Sequence, residues 1–260
     1  SPCPSKEPKN EEEVIRPAID GALRAVKTAH ETGVTRVIFT SSVAAVVNAQ
    51  LPNERAIFNE TDWTDVDKPG LNAYVKSKTL AERAVWQYQE MEAPELNVTT
   101  ILPSFVIGAP LGNYYGSSVR KIERLLSSAK PEIQNFGYSC VDVRDVALMH
   151  LRVMERPGAS IGKRFIGTSG RFMWIPEMAQ ILSDAYPEQK ISTKSTPSWL
   201  VRLKALYDPS LRYVVMNLGR RRELSNLQSR ELLGIDFRDA KDSLLETADY
   251  LIKHKLFISR

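Results

Sequence analysis

Cysteine and histidine are scarce in this chain, and their scarcity removes several kinds of chemistry. Two cysteines, Cys3 and Cys140, cannot build a disulfide framework and suit a reducing compartment. Three scattered histidines add no metal-ligand spacing. No run approaches the ~20 apolar residues of a membrane span. The opening SPCPSKEPKNEEE is polar and proline-rich, without the apolar core of a signal peptide. A soluble cytoplasmic protein with no membrane partner is therefore expected. One-sided charge is lacking too: 35 Lys and Arg against 31 Asp and Glu leave only +4. The charges are spread out apart from short clusters such as KNEEE and GRRRE, which argues against a nucleic-acid partner. Arg220, Arg221 and Arg222 read as a solvated face. No GxSxG elbow occurs and no histidine lies in a late loop, so a Ser-His-Asp hydrolase fails. His30, His150 and His254 read as core or surface residues of helices. Finally, no strand–GxxGxxG–helix unit is present, and GTSG is too short and too late in the order to replace one.

What remains is an ordinary globular composition. A hydrophobic fraction of 43% over 260 residues is enough for one large core, or one with a smaller lobe. EEEVIRPAIDGALRAVKTAHETG reads as a helix whose Val14, Ala18, Leu23 and Val26 share a side and which Gly33 stops. VTRVIFTSS follows as a strand buried on both faces. A loop over about residues 48–71 leads to a helix carrying AYVKSKTLAERAVW. LNVTTILPSFVIG is a second buried strand, stopped at Leu102 by Pro103. A loop around GAPLGNYYG precedes the helix SSVRKIERLLSSAK; YSCVDVRDVALMHLRVMERPG is a strand running into a helix, and KRFIGTSG a third strand. WIPEMAQILSDAYPEQ reads as helix and KISTK as a short edge strand, and the rest is helix-rich. Repeated strand–helix alternation predicts an α/β fold with a mainly parallel sheet.

Within that frame, Tyr74 and Lys78 are i and i+4 on one helical face. A phenol is a poor acid at neutral pH, and a neighbouring ammonium favours its phenolate, so the spacing permits a tuned proton donor. By itself the spacing is far more often plain helix surface, since Tyr-xxx-Lys recurs by chance. Lys76 points elsewhere on the helix, and Glu82 offers Lys78 a competing i+4 ion pair. Ser41 and Ser42 end a buried strand, where open α/β sheets place ligands, though a cap or turn explains them as well. Pro103 and Ser104 end the next strand, at the same edge if the two are parallel. VDVRDV reads as a strand-to-helix corner in which Asp142 or Asp145 caps and Arg144 pairs with an aspartate. Tyr114 and Tyr115, in a glycine-flanked loop, line a pocket or pack as an ordinary loop.

Taken in order, VTRVIFTSSVAAV, AYVKSKTLAERAVW, LNVTTILPSFVIGAPL and YSCVDVRDVALMHL resemble an extended short-chain dehydrogenase/reductase. The dihydroflavonol reductase, cinnamoyl-CoA reductase and ketone/aldehyde reductase group is the nearest in wording. The opening helix and the ending LGIDFRDAKDSLLETADYLIKHKL fit the same pattern. The resemblance implies a Rossmann-like, mainly parallel sheet with a smaller, helix-rich C-terminal substrate lobe. On that pattern residues 1–110 are the C-terminal part of a dinucleotide-binding domain. Residues 111–260 hold the substrate lobe, with 140–185 returning to the sheet.

The implied activity is NAD(P)H-dependent reduction of a ketone, aldehyde or related small carbonyl compound. Carried over residue by residue, the catalytic serine falls on Ser42, with Ser41 its neighbour on the cofactor side; the tyrosine falls on Tyr74 and the lysine on Lys78. Tyr74 would protonate the carbonyl oxygen, Ser42 would hold it, and Lys78 would bind the nicotinamide ribose. Pro103, Ser104, Phe105 and Val106 would pass beside the carboxamide, and Val43, Tyr114 and Tyr115 would face the substrate. NADP is preferred and NAD possible, and a monomer or homodimer is implied. The family's glycine-rich turn does not occur in these residues, so this chain is expected to be part of a longer product. The rival is a shortened, non-enzymatic binding or scaffold protein on the same frame. Nucleotide-sugar epimerases and dehydratases share the Tyr-Lys pair and form a third reading.

Overall fold

The computed structural model of the chain describes residues 8, 10–51, 57–112, 114–127 and 133–256. Cys3 and the end of the predicted SSVRKIERLLSSAK helix lie outside them. In chain order the elements are α1 (Glu12–Glu31), β1 (Arg36–Thr40), β2 (Ile57–Phe58), α2 (Ala73–Glu92), β3 (Asn97–Pro103) and β4 (Phe105–Ile107). Then come α3 (Ser117–Ser127), β5 (Gly137–Asp142), α4 (Val143–Glu155), α5 (Pro157–Ser160), β6 (Arg164–Gly167) and β7 (Phe172–Trp174). The remainder is α6 (Ile175–Ala185), α7 (Ser198–Lys204), α8 (Arg212–Asn217), β8 (Glu223–Leu224), α9 (Leu227–Leu233) and α10 (Ala240–Lys253). The chain divides into two compact units that interleave along the sequence: 1–104, 146–167 and 224–236 form one, and 105–145, 168–223 and 237–260 the other.

The first unit is built on a parallel three-stranded sheet in the order β1-β3-β6, the Rossmann-like arrangement that strand–helix alternation predicts. Register runs from Arg36↔Asn97 to Thr40↔Ile101 on one side of β3 and from Thr100↔Arg164 to Pro103↔Gly167 on the other. As the central strand, β3 is buried almost throughout. β1, by contrast, is only half-buried, because among the described residues it pairs with β3 alone and lies at an edge of this sheet. Pro103 does not stop the strand at Leu102. It is still paired with Gly167, and the next amide, Ser104 N–H, donates to Gly167 O at 2.9 Å, so the proline's missing donor is not needed there.

α1 carries Glu12 and Glu13 in its first turn and His30 in its last, which suits the helix dipole. It ends where Gly33 takes φ +80° and Val34 N–H returns to Ala29 O. α1 and α2 pack on each other, and Val26, Val85, Tyr88, Leu96 and Val98 form a core between them and the sheet. Ala45, Val46, Phe58, Leu102, Ile166 and Leu224 form a second core in this unit.

The second unit holds β4 parallel to β5, and β7 antiparallel to β5. Ile122 of α3, Met178 and Leu182 of α6, and Leu244 and Leu251 of α10 pack into one core with Cys140 and Met173. Two expectations fail here for lack or presence of a ladder partner. KISTK lies outside any strand despite its β-branched residues. FMW, whose tryptophan opens the segment read as helix, is strand β7, because Gly137–Ser139 pairs with it. The helix then starts at Ile175, with Glu177 reaching back to Trp174 N–H at 3.3 Å.

The VDVRDV corner is as the sequence predicts. Asp142 accepts from Arg144 N–H and binds its guanidinium, both at 2.8 Å, while Asp145 pairs with Arg238. Arg222 is a correction: rather than lying on a solvated face, its guanidinium sits 5.0 Å over Phe136, and Nη1 donates to Tyr213 Oη at 2.7 Å. Among the described residues no helix is long and apolar enough to cross a membrane, and no three His, Cys, Asp or Glu side chains gather as metal ligands.

Candidate active site at the start of α2

Both strands of the β1–β3 pair run the same way, so Ser41 and Ser42 follow one and Pro103 and Ser104 end the other at the same sheet edge. Ligands of open parallel sheets bind beyond this carboxyl edge. Ser41 continues the ladder, its N–H donating to Ile101 O at 2.8 Å. Ser42 is extended (φ −163°, ψ 151°) and caps a short turn, Val43–Ala45, with its Oγ accepting from Ala44 N–H at 3.2 Å. Thr64 clamps that turn from outside, donating from Oγ1 to Ala44 O and from N–H to Ala45 O, each at 2.7 Å. A small-residue turn (Val43, Ala44, Ala45) lets α2 approach closely, and α2 packs directly on it.

α2 begins at Asn72, whose side chain accepts from Val75 N–H at 2.9 Å and fixes the first turn. Tyr74 therefore stands in the first turn of the helix and Lys78 one turn later. Both are half-buried, with Lys78 Nζ 6.0 Å from the Tyr74 ring centroid. Lys76 points elsewhere, as expected, to Glu11 Oε2 at 2.6 Å. At the end of β3, Pro103 is buried, and Ser104 Oγ is buried with no hydrogen-bond partner among the described residues. An unpaired buried hydroxyl costs about 1–3 kcal/mol, which a bound group could recover.

Ser41 is turned away from this edge. Its hydroxyl donates to Glu82 Oε2 at 2.6 Å, inside the unit. Glu82, which the spacing offers to Lys78 as an i+4 partner, is 0% exposed. Its carboxylate accepts from Thr100 Oγ1 at 2.9 Å and from Arg164 Nε at 2.9 Å and Nη2 at 3.3 Å. Arg164 in turn donates to Glu60 O at 2.6 Å and Asp62 O at 2.7 Å and lies 3.7 Å over the Trp63 ring. Sequence reasoning found neither Arg164 nor Trp63. A lone arginine in a predicted buried strand was the available signal.

Phe105 and Val106 open β4 of the second unit, where Phe105 stacks on Tyr138 with centroids 4.3 Å apart. In the same unit Tyr114 is fully exposed. Tyr115 is half-buried and donates to Glu123 Oε2 at 3.1 Å, and burial together with that carboxylate pushes its phenol up from the ordinary value. The histidines bear structural bonds: His30 to Tyr88 Oη and Glu95, His150 to Thr40 Oγ1, His254 to Tyr250 O.

Known proteins are similar to this chain in sequence and fold. A family profile described as the NAD dependent epimerase/dehydratase family matches residues 2–166. The chain is 30% identical over 242 residues to cinnamoyl-CoA reductase 1 of Arabidopsis thaliana, covering 92% of this chain and 64% of that protein. It is 32% identical over 203 residues to an anthocyanidin reductase of Vitis vinifera, covering 73% of this chain and 58% of the relative. The chain thus spans less than two thirds of the length of either relative. The fold is that of yeast methylglyoxal/isovaleraldehyde reductase Gre2, solved in complex with NADPH, with a TM-score of 0.76 at 23% identity over 99% of this chain and 76% of that one. On its sequence motifs, its parallel sheet and the profile that spans more than half its length, the chain belongs to the NAD dependent epimerase/dehydratase family, of the extended short-chain dehydrogenase/reductase type.

Proposed function

We propose that the full-length protein carrying this chain reduces a ketone, aldehyde or related carbonyl compound with a nicotinamide cofactor, and that Ser42, Tyr74 and Lys78 act on the carbonyl oxygen. The observation that carries this reading is the placement of Tyr74 and Lys78 on adjacent turns of α2, 6.0 Å from ring centroid to Nζ, with the Ser42 turn packed on the same helix. Relatives at 30% and 32% identity are named as reductases, which favours reduction over epimerisation.

Because Ser42 Oγ takes up the Ala44 N–H as an acceptor, its own proton is left to donate to a carbonyl oxygen. Tyr74 gives that oxygen a proton, and the Lys78 ammonium stabilises the negative charge that develops on the phenol oxygen as the proton leaves. Val43, half-buried beside Ser42, faces the substrate. The residues present suit a nicotinamide: Lys78 would hold the ribose, Pro103 and Ser104 would lie beside the carboxamide, and the orphaned Ser104 hydroxyl would gain a partner. When bound, the cofactor supplies the hydride. NADPH is preferred to NADH on the reductase resemblance, and NADPH is what the Gre2 structure contains.

The test is carbonyl-dependent oxidation of NADPH by the full-length protein. Tyr74→Phe is expected to lower the rate by about 10²- to 10⁴-fold, the usual contribution of a positioned acid. A rate equal to wild type overturns the reading, and product analysis separates an alcohol product from an epimerised or dehydrated sugar.

A further inference from the structure

The buried carboxylate of Glu82 meets every strand of the parallel sheet in its unit. Ser41 at the end of β1, Thr100 on β3 and Arg164 on β6 all donate to it. A buried ion pair is not needed for stability, since well-packed apolar residues often do as well. What it adds is register. A single carboxylate with donors fixed on three strands is satisfied at only one rotation and one height of α2, and a slip of one residue strips it of partners. Lys78 lies one turn and Tyr74 two turns nearer the N-terminus on that same helix, about 6 Å and about 12 Å along its axis at 1.5 Å per residue. Ser42 is covalently next to Ser41. The Ser41–Glu82 hydrogen bond at 2.6 Å is therefore a direct link between the strand end that presents Ser42 and the helix that presents Tyr74.

We propose that Ser41 and Glu82 are a positioning pair. The Ser41 hydroxyl touches neither substrate nor cofactor; through Glu82 it holds β1 and α2 in register so that Ser42 and Tyr74 address one oxygen. This rests on the reductase reading above.

The test compares three variants of the full-length protein: Ser41→Ala, Thr99→Val and Tyr74→Phe. Thr99 supplies a control hydroxyl in the same sheet, buried and donating to Ser160 O at 2.8 Å, away from Glu82. Ser41→Ala is expected to lower kcat by about 10- to 100-fold, the scale of a small misplacement of reacting groups. Its KM for NADPH stays near wild type, and its Tm falls no more than that of Thr99→Val, whose kcat is unchanged. Glu82→Asp, which keeps the charge beside Arg164 but withdraws the carboxylate, is expected to show the same split if Ser41→Ala yields no folded protein. Wild-type kcat in Ser41→Ala overturns the proposal, as does an equal kcat loss in Thr99→Val. A raised KM for NADPH with kcat intact also overturns it, since that marks a direct cofactor contact. Retained activity in Tyr74→Phe is a different failure: it removes the reductase reading itself.

Discussion

Replacing Arg164 by methionine tests how the first unit is held together. Arg164 is only 8% exposed, and its guanidinium joins three groups. These are the Glu82 carboxylate, the carbonyls of Glu60 and Asp62, and the face of Trp63. Removing one partner of a buried ion pair typically costs about 3–5 kcal/mol, because the other charge stays buried without compensation. In Arg164→Met the carboxylate keeps only neutral donors, Ser41, Thr100 and the Trp86 indole, and loses its countercharge, so the range for a broken buried pair applies. At roughly 2–4 °C per kcal/mol for a chain of this size, Tm should fall by roughly 6–20 °C.

Glu82→Gln is expected to be milder, about 1–3 kcal/mol, the scale of one buried group left short of a partner. Arg164 then still has two carbonyls and an aromatic face, and the amide oxygen can still accept. Glu82→Leu combined with Arg164→Met removes both charges and should recover more than half of the single-variant loss. Urea unfolding followed by far-UV circular dichroism measures all three. A Glu82→Gln loss larger than that of Arg164→Met, or an Arg164→Met loss under about 0.5 kcal/mol, would refute the assignment of this pair as the sheet's anchor.

Three further outcomes follow from the second unit. Burial pushes the Asp142 carboxyl up, but hydrogen bonds from Arg144 and Ser243 outweigh it and hold it below the usual range. Its stabilisation is therefore complete above the unfolded value near ~3.9 and is lost as pH falls through the lower native value. Melts from pH ~5 downward should lose Tm more steeply in wild type than in Asp142→Asn. A Cβ on Gly137 would stand 2.5 Å from Met173 O and 2.6 Å from the Phe172 ring, so Gly137→Ala should cost roughly 1–3 kcal/mol by overpacking the β5–β7 pair; a wild-type melt would contradict this. Burial pushes the Cys140 thiol up to about 12, so in a Cys3→Ser background alkylation at neutral pH should give no adduct by intact mass until denaturant is added.

Much of this fold is written in local pattern. Gly33 ends α1 because the chain there takes φ +80°, which glycine adopts without strain. The i, i+4 spacing of Tyr74 and Lys78 puts them on one face once α2 forms, and Asn72 caps it without help from elsewhere. The Asp142–Arg144 corner closes over two residues. Such features depend on neighbours along the chain, so the amino-acid order alone decides them.

Other features depend on partners far away in sequence. Local spacing offers Glu82 only as an i+4 partner for Lys78, yet Arg164, 82 residues on, and Ser41, 41 residues back, bind it inside the unit. FMW becomes a strand and KISTK does not, because β5 offers a ladder to one, whereas the other has no strand assignment. Family resemblance puts the catalytic serine on Ser42, but nothing in the two adjacent letters says where the Ser41 hydroxyl goes. Strand alternation sends one hydroxyl inward to Glu82 and leaves the other at the sheet edge, capping the Val43–Ala45 turn. Local sequence determined which helix and which strand end carry the candidate groups. Tertiary packing decided how they are held, because the carboxylate that fixes them is satisfied only when three strands have already come together.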